Sequence, residues 1–86
     1  MKVRVPGPLR SYTKNRSEVE ASGATVDELL KDLDRQFPGM RFRMIDEQDN
    51  PRPHIRLYVN ADAAGLSTPV NSKDELQIIC AISGGL

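Results

Sequence analysis

Residues 25–37 carry the one sustained helical pattern in the chain, and that pattern limits the fold more than any other stretch. Thr25 suits an N-cap, and Glu28 stands three residues later, the spacing of a capping box. Asp27 and Glu28 fit the positive end of the helix dipole. Val26, Leu29, Leu30, Leu33 and Phe37 then recur at helical spacing and form one apolar stripe, with Lys31, Asp32, Asp34 and Arg35 on the wet face. Pro38-Gly39 ends the helix. A lone amphipathic helix needs one sheet face to cover, which is an α+β layout.

Strand patterns flank the helix on both sides. Val3 and Val5 alternate with Lys2 and Arg4 until Pro6-Gly7-Pro8 interrupts them, and Leu9-Arg10-Ser11 follows as a turn or short loop. Ser17–Ala21 alternates again, with Val19 and Ala21 opposite Glu18 and Glu20, so the two runs predict an antiparallel hairpin. Met40–Ile45 alternates apolar and basic residues and suits either a helical turn or an extended segment. Asp46–Pro53 is a polar loop bounded by prolines, and His54–Asn60 predicts a strand with Ile55, Leu57 and Val59 inward. Asn60-Ala61-Asp62 is a turn, Ala63–Val70 an irregular edge strand or bulge, and Asn71–Asp74 a second turn.

The last strand, Glu75–Ile82, shows two faces. Leu76, Ile78, Cys80 and Ile82 share one parity; Gln77, Ile79 and Ala81 share the other. With Leu76 and Ile78 in the core, Ile79 is a bulky aliphatic on the solvent side, a candidate contact for a partner. Beyond it the sequence reads Ser83-Gly84-Gly85-Leu86. Glycines without side chains can lie extended in a narrow channel and bring a carboxylate to a reactive centre. The expected organisation is a domain over residues 1–82 and a flexible functional tail over 83–86. The expected core is Val3, Val5, Val19, Leu29, Leu30, Leu33, Phe37, Leu57, Val59, Leu76 and Ile78.

Composition removes several function classes. Twelve basic and twelve acidic residues cancel, and few aromatics are present for base stacking, which disfavours a nucleic-acid binder. A single cysteine, Cys80, allows no internal disulfide and suits a reducing, cytoplasmic setting. It also rules out a cysteine-ligated iron–sulfur cluster. No stretch is apolar enough for a signal peptide or a bilayer span. Cys80 reads as a small core residue rather than a relay thiol, and His54 has no neighbouring cluster to serve as ligand or base. The Arg41/Arg43 pair reads as a solvated face that can also meet an acidic partner.

The order of these features resembles the MoaD/ThiS sulfur carriers of the ubiquitin-like β-grasp fold. The residues that carry the likeness are Leu9-Arg10 after the first strand, the helix ATVDELLKDLDRQFPGM and the strand RPHIRLYVN. Gly65-Leu66, Thr68-Pro69 and DELQII running to Gly84-Gly85 complete it. The resemblance implies a mixed four- to five-stranded sheet packed on one main helix, and a monomeric carrier rather than an enzyme. It implies that an ATP-dependent adenylating enzyme of the MoeB/ThiF type activates the carboxylate of Gly85. Sulfur then converts it to a thiocarboxylate that a sulfur-accepting biosynthetic enzyme consumes. No cofactor is expected on the carrier, since ATP serves its activating enzyme. Gly84 and Ser83 would thread the tail, and Ile79 and Ala81 would face the partner.

Two positions depart from that pattern. Leu86 follows Gly85 and blocks its carboxylate with a peptide bond, so a processing step, by a JAMM-type zinc peptidase, is expected. Cys80-Ala81 stands where relatives often have proline. The extension after Gly-Gly resembles a CysO-like subgroup, serving cysteine or specialised thio-metabolites more than thiazole or molybdopterin. A ubiquitin-like modifier joined to lysines through the same tail is the alternative, and an interaction module with an inert tail is a third reading.

Overall fold

The computed structural model describes residues 1–81. The expectations for Ile82 and for Ser83, Gly84, Gly85 and Leu86 therefore lie outside the described residues. In chain order the elements are β1 (Lys2–Arg4), a 3-10 turn at Gly7–Leu9, β2 (Glu18–Glu20), α1 (Val26–Gln36), α2 (Met40–Met44), β3 (Ile55–Val59), β4 (Asp62–Ala63) and β5 (Glu75–Cys80). The five strands form one mixed sheet in the order β2-β1-β5-β3-β4. The β1–β2 hairpin is antiparallel with Val3 opposite Val19, as the alternation predicts. β5 lies parallel to β1 and antiparallel to β3, which makes the last strand the central one.

The helix forms where its caps place it. Thr25 Oγ1 accepts from Glu28 N–H at 3.2 Å, while Glu28 Oε1 reaches back to Ala24 N–H at 2.9 Å, one residue earlier than the usual box. Two further N-terminal amides, of Val26 and Asp27, donate to the carbonyls of Thr68 and Leu66. The irregular 64–70 stretch is thus tied down by the helix it caps, with a bridge between Thr25 and Pro69.

The apolar stripe packs on the sheet: Val26, Leu29, Leu30 and Leu33 are fully buried against Val3, Val5, Val19, Ile55, Leu57, Val59, Leu76 and Ile78. Phe37, expected in the core, is half-buried, because it is the C-cap and lies past the last helical turn. Asp32 and Asp34 are not simply solvated. Asp32 accepts from Ser22 N–H, and Asp34 Oδ1 accepts from the amides of Gly39 and Arg41 at 3.1 Å each, capping the next helix.

Met40–Met44 settles as a short helix. Gly39 enters it at φ 94°, a left-handed backbone that suits glycine. Met40 and Met44, one turn apart, and Ile45 are fully buried, whereas Phe42 between them is 57% exposed. An alternating strand would have put Met40, Phe42 and Met44 on one face; the helix separates Phe42 from the other two. Arg41 is consequently not on a solvated face. Its Nη2 donates to Asp27 Oδ1 at 2.8 Å and Asp49 Oδ1 at 3.4 Å, and its Nε is buried without an acceptor.

Candidate functional site

The site is the end of β5 and what surrounds it. Pairing with β1 stops at Gln77, opposite Arg4, where Pro6 turns the first strand away. Pairing with β3 continues to Cys80 opposite Ile55, and a last amide bond runs from Ala81 N–H to the His54 carbonyl at 2.7 Å. The strand alternates as expected: Leu76 and Ile78 are buried, while Gln77, Ile79 and Ala81 face outward. Ile79 is 36% exposed and sits on the open sheet face with Arg56 directly across on β3. The residue expected to meet a partner is thus exposed, and it stands four residues before Ser83 in the sequence.

Cys80 does not join the core fully. It is half-buried because the β1 side of β5 is no longer covered at its level, and it forms part of a cleft wall. Burial still pushes its thiol pKa up, which lowers the thiolate fraction. That cleft has a volume of about 550 Å³ and is walled by Leu9, Tyr12, Arg43, His54, Cys80 and Ala81 among others. Its far wall depends on the 10–16 loop. Thr13 is fully buried there, its hydroxyl donating to the Arg16 carbonyl at 2.8 Å, and Lys14 and Asn15 turn the chain with positive φ. The loop presents Tyr12, whose hydroxyl oxygen accepts from Arg43 Nε at 2.7 Å.

His54 gains neighbours that the sequence did not announce, since Arg43 and Cys80 come to it from α2 and β5. The cleft was not legible beforehand. Its walls come from four separate segments, and no local pattern marks such an assembly. Among the described residues, no cluster of three or more His, Cys, Asp or Glu side chains is placed to hold a metal ion. No helix among them is long and apolar enough to cross a membrane.

The ThiS family model matches residues 3–85, nearly the whole chain. The chain belongs to the ThiS family. Its full-length similarity to a curated relative points the same way: it is 30% identical to the sulfur carrier protein CysO of Mycobacterium tuberculosis, over 96% of both chains. Among solved structures, a chain of the Amycolatopsis orientalis BexX/CysO complex superposes with a TM-score of 0.90 at 34% identity, covering 98% of each chain. SAMP1 of Haloferax volcanii superposes at 0.79 with 27% identity, covering 98% of this chain and 97% of its own. This ThiS-family chain is therefore a sulfur carrier protein with the ubiquitin-like β-grasp fold, as the resemblance implied. Its curated relatives are carriers and not themselves enzymes. The ThiS match also ends on Gly85 and leaves Leu86 outside it.

Proposed function

We propose that this carrier holds sulfur as a thiocarboxylate on Gly85 after Leu86 has been removed. The observation that carries the reading is the end of the family match at Gly85, a few residues beyond a paired central strand whose outward Ile79 is exposed. A JAMM-type zinc peptidase hydrolyses the Gly85–Leu86 bond. An adenylating enzyme of the MoeB/ThiF type docks on Ile79 and Ala81 and receives Ser83 and Gly84 in its channel. The freed carboxylate attacks the α-phosphorus of ATP and expels pyrophosphate, giving an acyl adenylate. Sulfide-level sulfur from a donor then forms a bond to the acyl carbon, and the carbon–oxygen bond to AMP breaks, leaving the thiocarboxylate and free AMP. A carboxylate is a poor acyl donor, and its mixed anhydride with AMP has a good leaving group, so the activation is what makes sulfur transfer feasible.

The product passes its sulfur to a biosynthetic enzyme, and likeness to CysO favours the cysteine-forming route over molybdopterin or thiazole. The lone thiol suits the reducing cytoplasm. A second reading, conjugation to lysines, is favoured by the likeness to SAMP1, a small archaeal modifier protein by name. Both readings begin with the same acyl adenylate and part at the nucleophile. The test is the intact mass of the protein isolated from its own host. A species lacking Leu86 with one carboxylate oxygen replaced by sulfur is the expected result. Lysine-linked conjugates would establish the modifier instead, and a population that retains Leu86 while the pathway runs would overturn both.

A further inference from the structure

The chain is electrically balanced, yet the surface around the base of the tail is not. The cleft behind Cys80 and Ala81 shares Arg43 and His54 with a second concavity lined by Phe42 and Arg52. It shares His54 and Ala81 with a third, lined by Pro53 and Arg56. Among the described residues no carboxylate lines any of the three, although twelve acidic side chains are present in the sequence. The guanidiniums there are held by neutral oxygens. Arg43 donates to the Tyr12 hydroxyl, Arg52 Nε to the Phe42 carbonyl at 2.7 Å, and Arg56 to the carbonyls of Pro53 and Ile55. Among the described residues they are fixed in place without an acidic partner. Elsewhere Lys2, Arg4, Lys31, Arg35 and Arg41 lie in ion pairs, while Arg10, Lys14, Arg16 and Lys73 have none among the described residues but are not gathered into one cleft.

We propose that this joined cleft is a docking surface for an acidic segment, rich in Asp or Glu, on the protein that takes the tail. Guanidiniums whose geometry is preset lose little entropy when they meet a carboxylate fork. Phe42, 57% exposed with Arg52 stacked 4.5 Å over its ring, adds an apolar anchor at the rim. Bringing four cationic or protonatable groups to where the tail emerges would also steer an acidic partner to that end of the domain. The arginine that matters is Arg43 and not Arg41, whose charge is already met by Asp27 and Asp49.

The inference rests on the tail being handed to a partner, but its test does not depend on sulfur chemistry. Isotope-labelled full-length protein is titrated with an oligoglutamate peptide, and with oligolysine and oligothymidylate as comparisons, while amide shifts are recorded. Shifts centred on Tyr12, Arg43, His54, Arg56 and Ala81, specific to oligoglutamate, are expected. The double variant Arg43→Gln/Arg52→Gln should weaken that binding about tenfold at low salt, roughly threefold for each arginine. A salt titration of the unaltered protein gives the same information should the variant fold poorly. No response, shifts spread equally over Lys14, Arg35 and Lys73, or tighter binding of oligothymidylate would each overturn the proposal. An intact-mass result in favour of the thiocarboxylate would stand in any of those cases.

Discussion

The Asp27–Arg41 contact joins α1 to α2 and supports the floor on which Arg43 sits, so its strength can be read as a coupling energy. Asp27 retains 29% of its side-chain exposure and Arg41 19%, and Lys31 shares the carboxylate at 3.0 Å. A charge-assisted hydrogen bond contributes roughly 1.5–3 kcal/mol when shielded and an exposed pair about 0.2–1, so a coupling near 1.5 kcal/mol is expected here. Neither single substitution isolates it. Arg41→Met removes the buried Nε that lacks an acceptor, a gain that offsets part of the loss. The cycle of Asp27→Asn, Arg41→Met and the double variant cancels that term. For a chain of this length the unfolding entropy is about 0.18 kcal/mol/K, so 1.5 kcal/mol corresponds to roughly 8 °C in Tm.

Thermal and urea unfolding followed by circular dichroism measures all four proteins. The pH dependence gives an independent check. The Arg41 hydrogen bond, foremost, holds the Asp27 carboxyl below its usual range against a smaller opposing effect of burial. A depressed native pKa stabilises above the unfolded-state value and loses that effect on acidification. The advantage of the wild type over Asp27→Asn should be constant above about pH 5 and fade as pH falls through the lower native value. A coupling under about 0.3 kcal/mol, within the error of additivity for independent sites, would refute the reasoning. So would an advantage that does not change between neutral and acid pH.

Three further outcomes concern the β3–β4 turn and the end of β5. Asn60 and Ala61 both have positive φ, at 51° and 74°, in the two-residue turn between β3 and β4, so Ala61→Gly should stabilise by about 0.5–1 kcal/mol; a lower urea midpoint would contradict the turn. Ile79→Asp should cost under about 1 kcal/mol in unfolding yet weaken adenylating-enzyme binding by roughly tenfold or more, as calorimetry would show. An equal affinity would remove Ile79 from the interface. Native Cys80 should react with iodoacetamide more slowly than the urea-unfolded thiol, because burial raises its pKa; faster labelling of the folded protein would oppose that.

The parts of the fold that could be read in advance were those with a local cause. Periodicity marked α1 and the strands, and parity separated Leu76 and Ile78 from Ile79. Met40–Met44 resisted because five residues fit both periods, and only the covering it receives from the sheet and α1 selects the helix. Arg41 departs from the solvated face for a related reason: its partners are 14 and 8 residues away, beyond any helical neighbour rule. Leu9 and Thr13 are buried in the segment that joins β1 to β2, and no alternation signals it. The outward placement of Ile79 and Ala81 was thus visible in strand parity. The cationic cleft was not, because it arises where α2, the β3 entrance and β5 converge.

The central position of β5 has a mechanical consequence. Its register with β1 runs from Lys2 opposite Glu75 to Arg4 opposite Gln77, and with β3 from Val59 opposite Leu76 to Ile55 opposite Cys80. A pull on β5 along its own axis runs across both ladders, whose hydrogen bonds lie close to perpendicular to it in the antiparallel pairing with β3 and slanted in the parallel pairing with β1. The load falls on both ladders in shear, shared by all their bonds at once, whereas an edge strand would have a single ladder to resist it. An enzyme that grips the tail and draws it into a narrow tunnel would therefore be towing the whole sheet, and the domain would arrive intact.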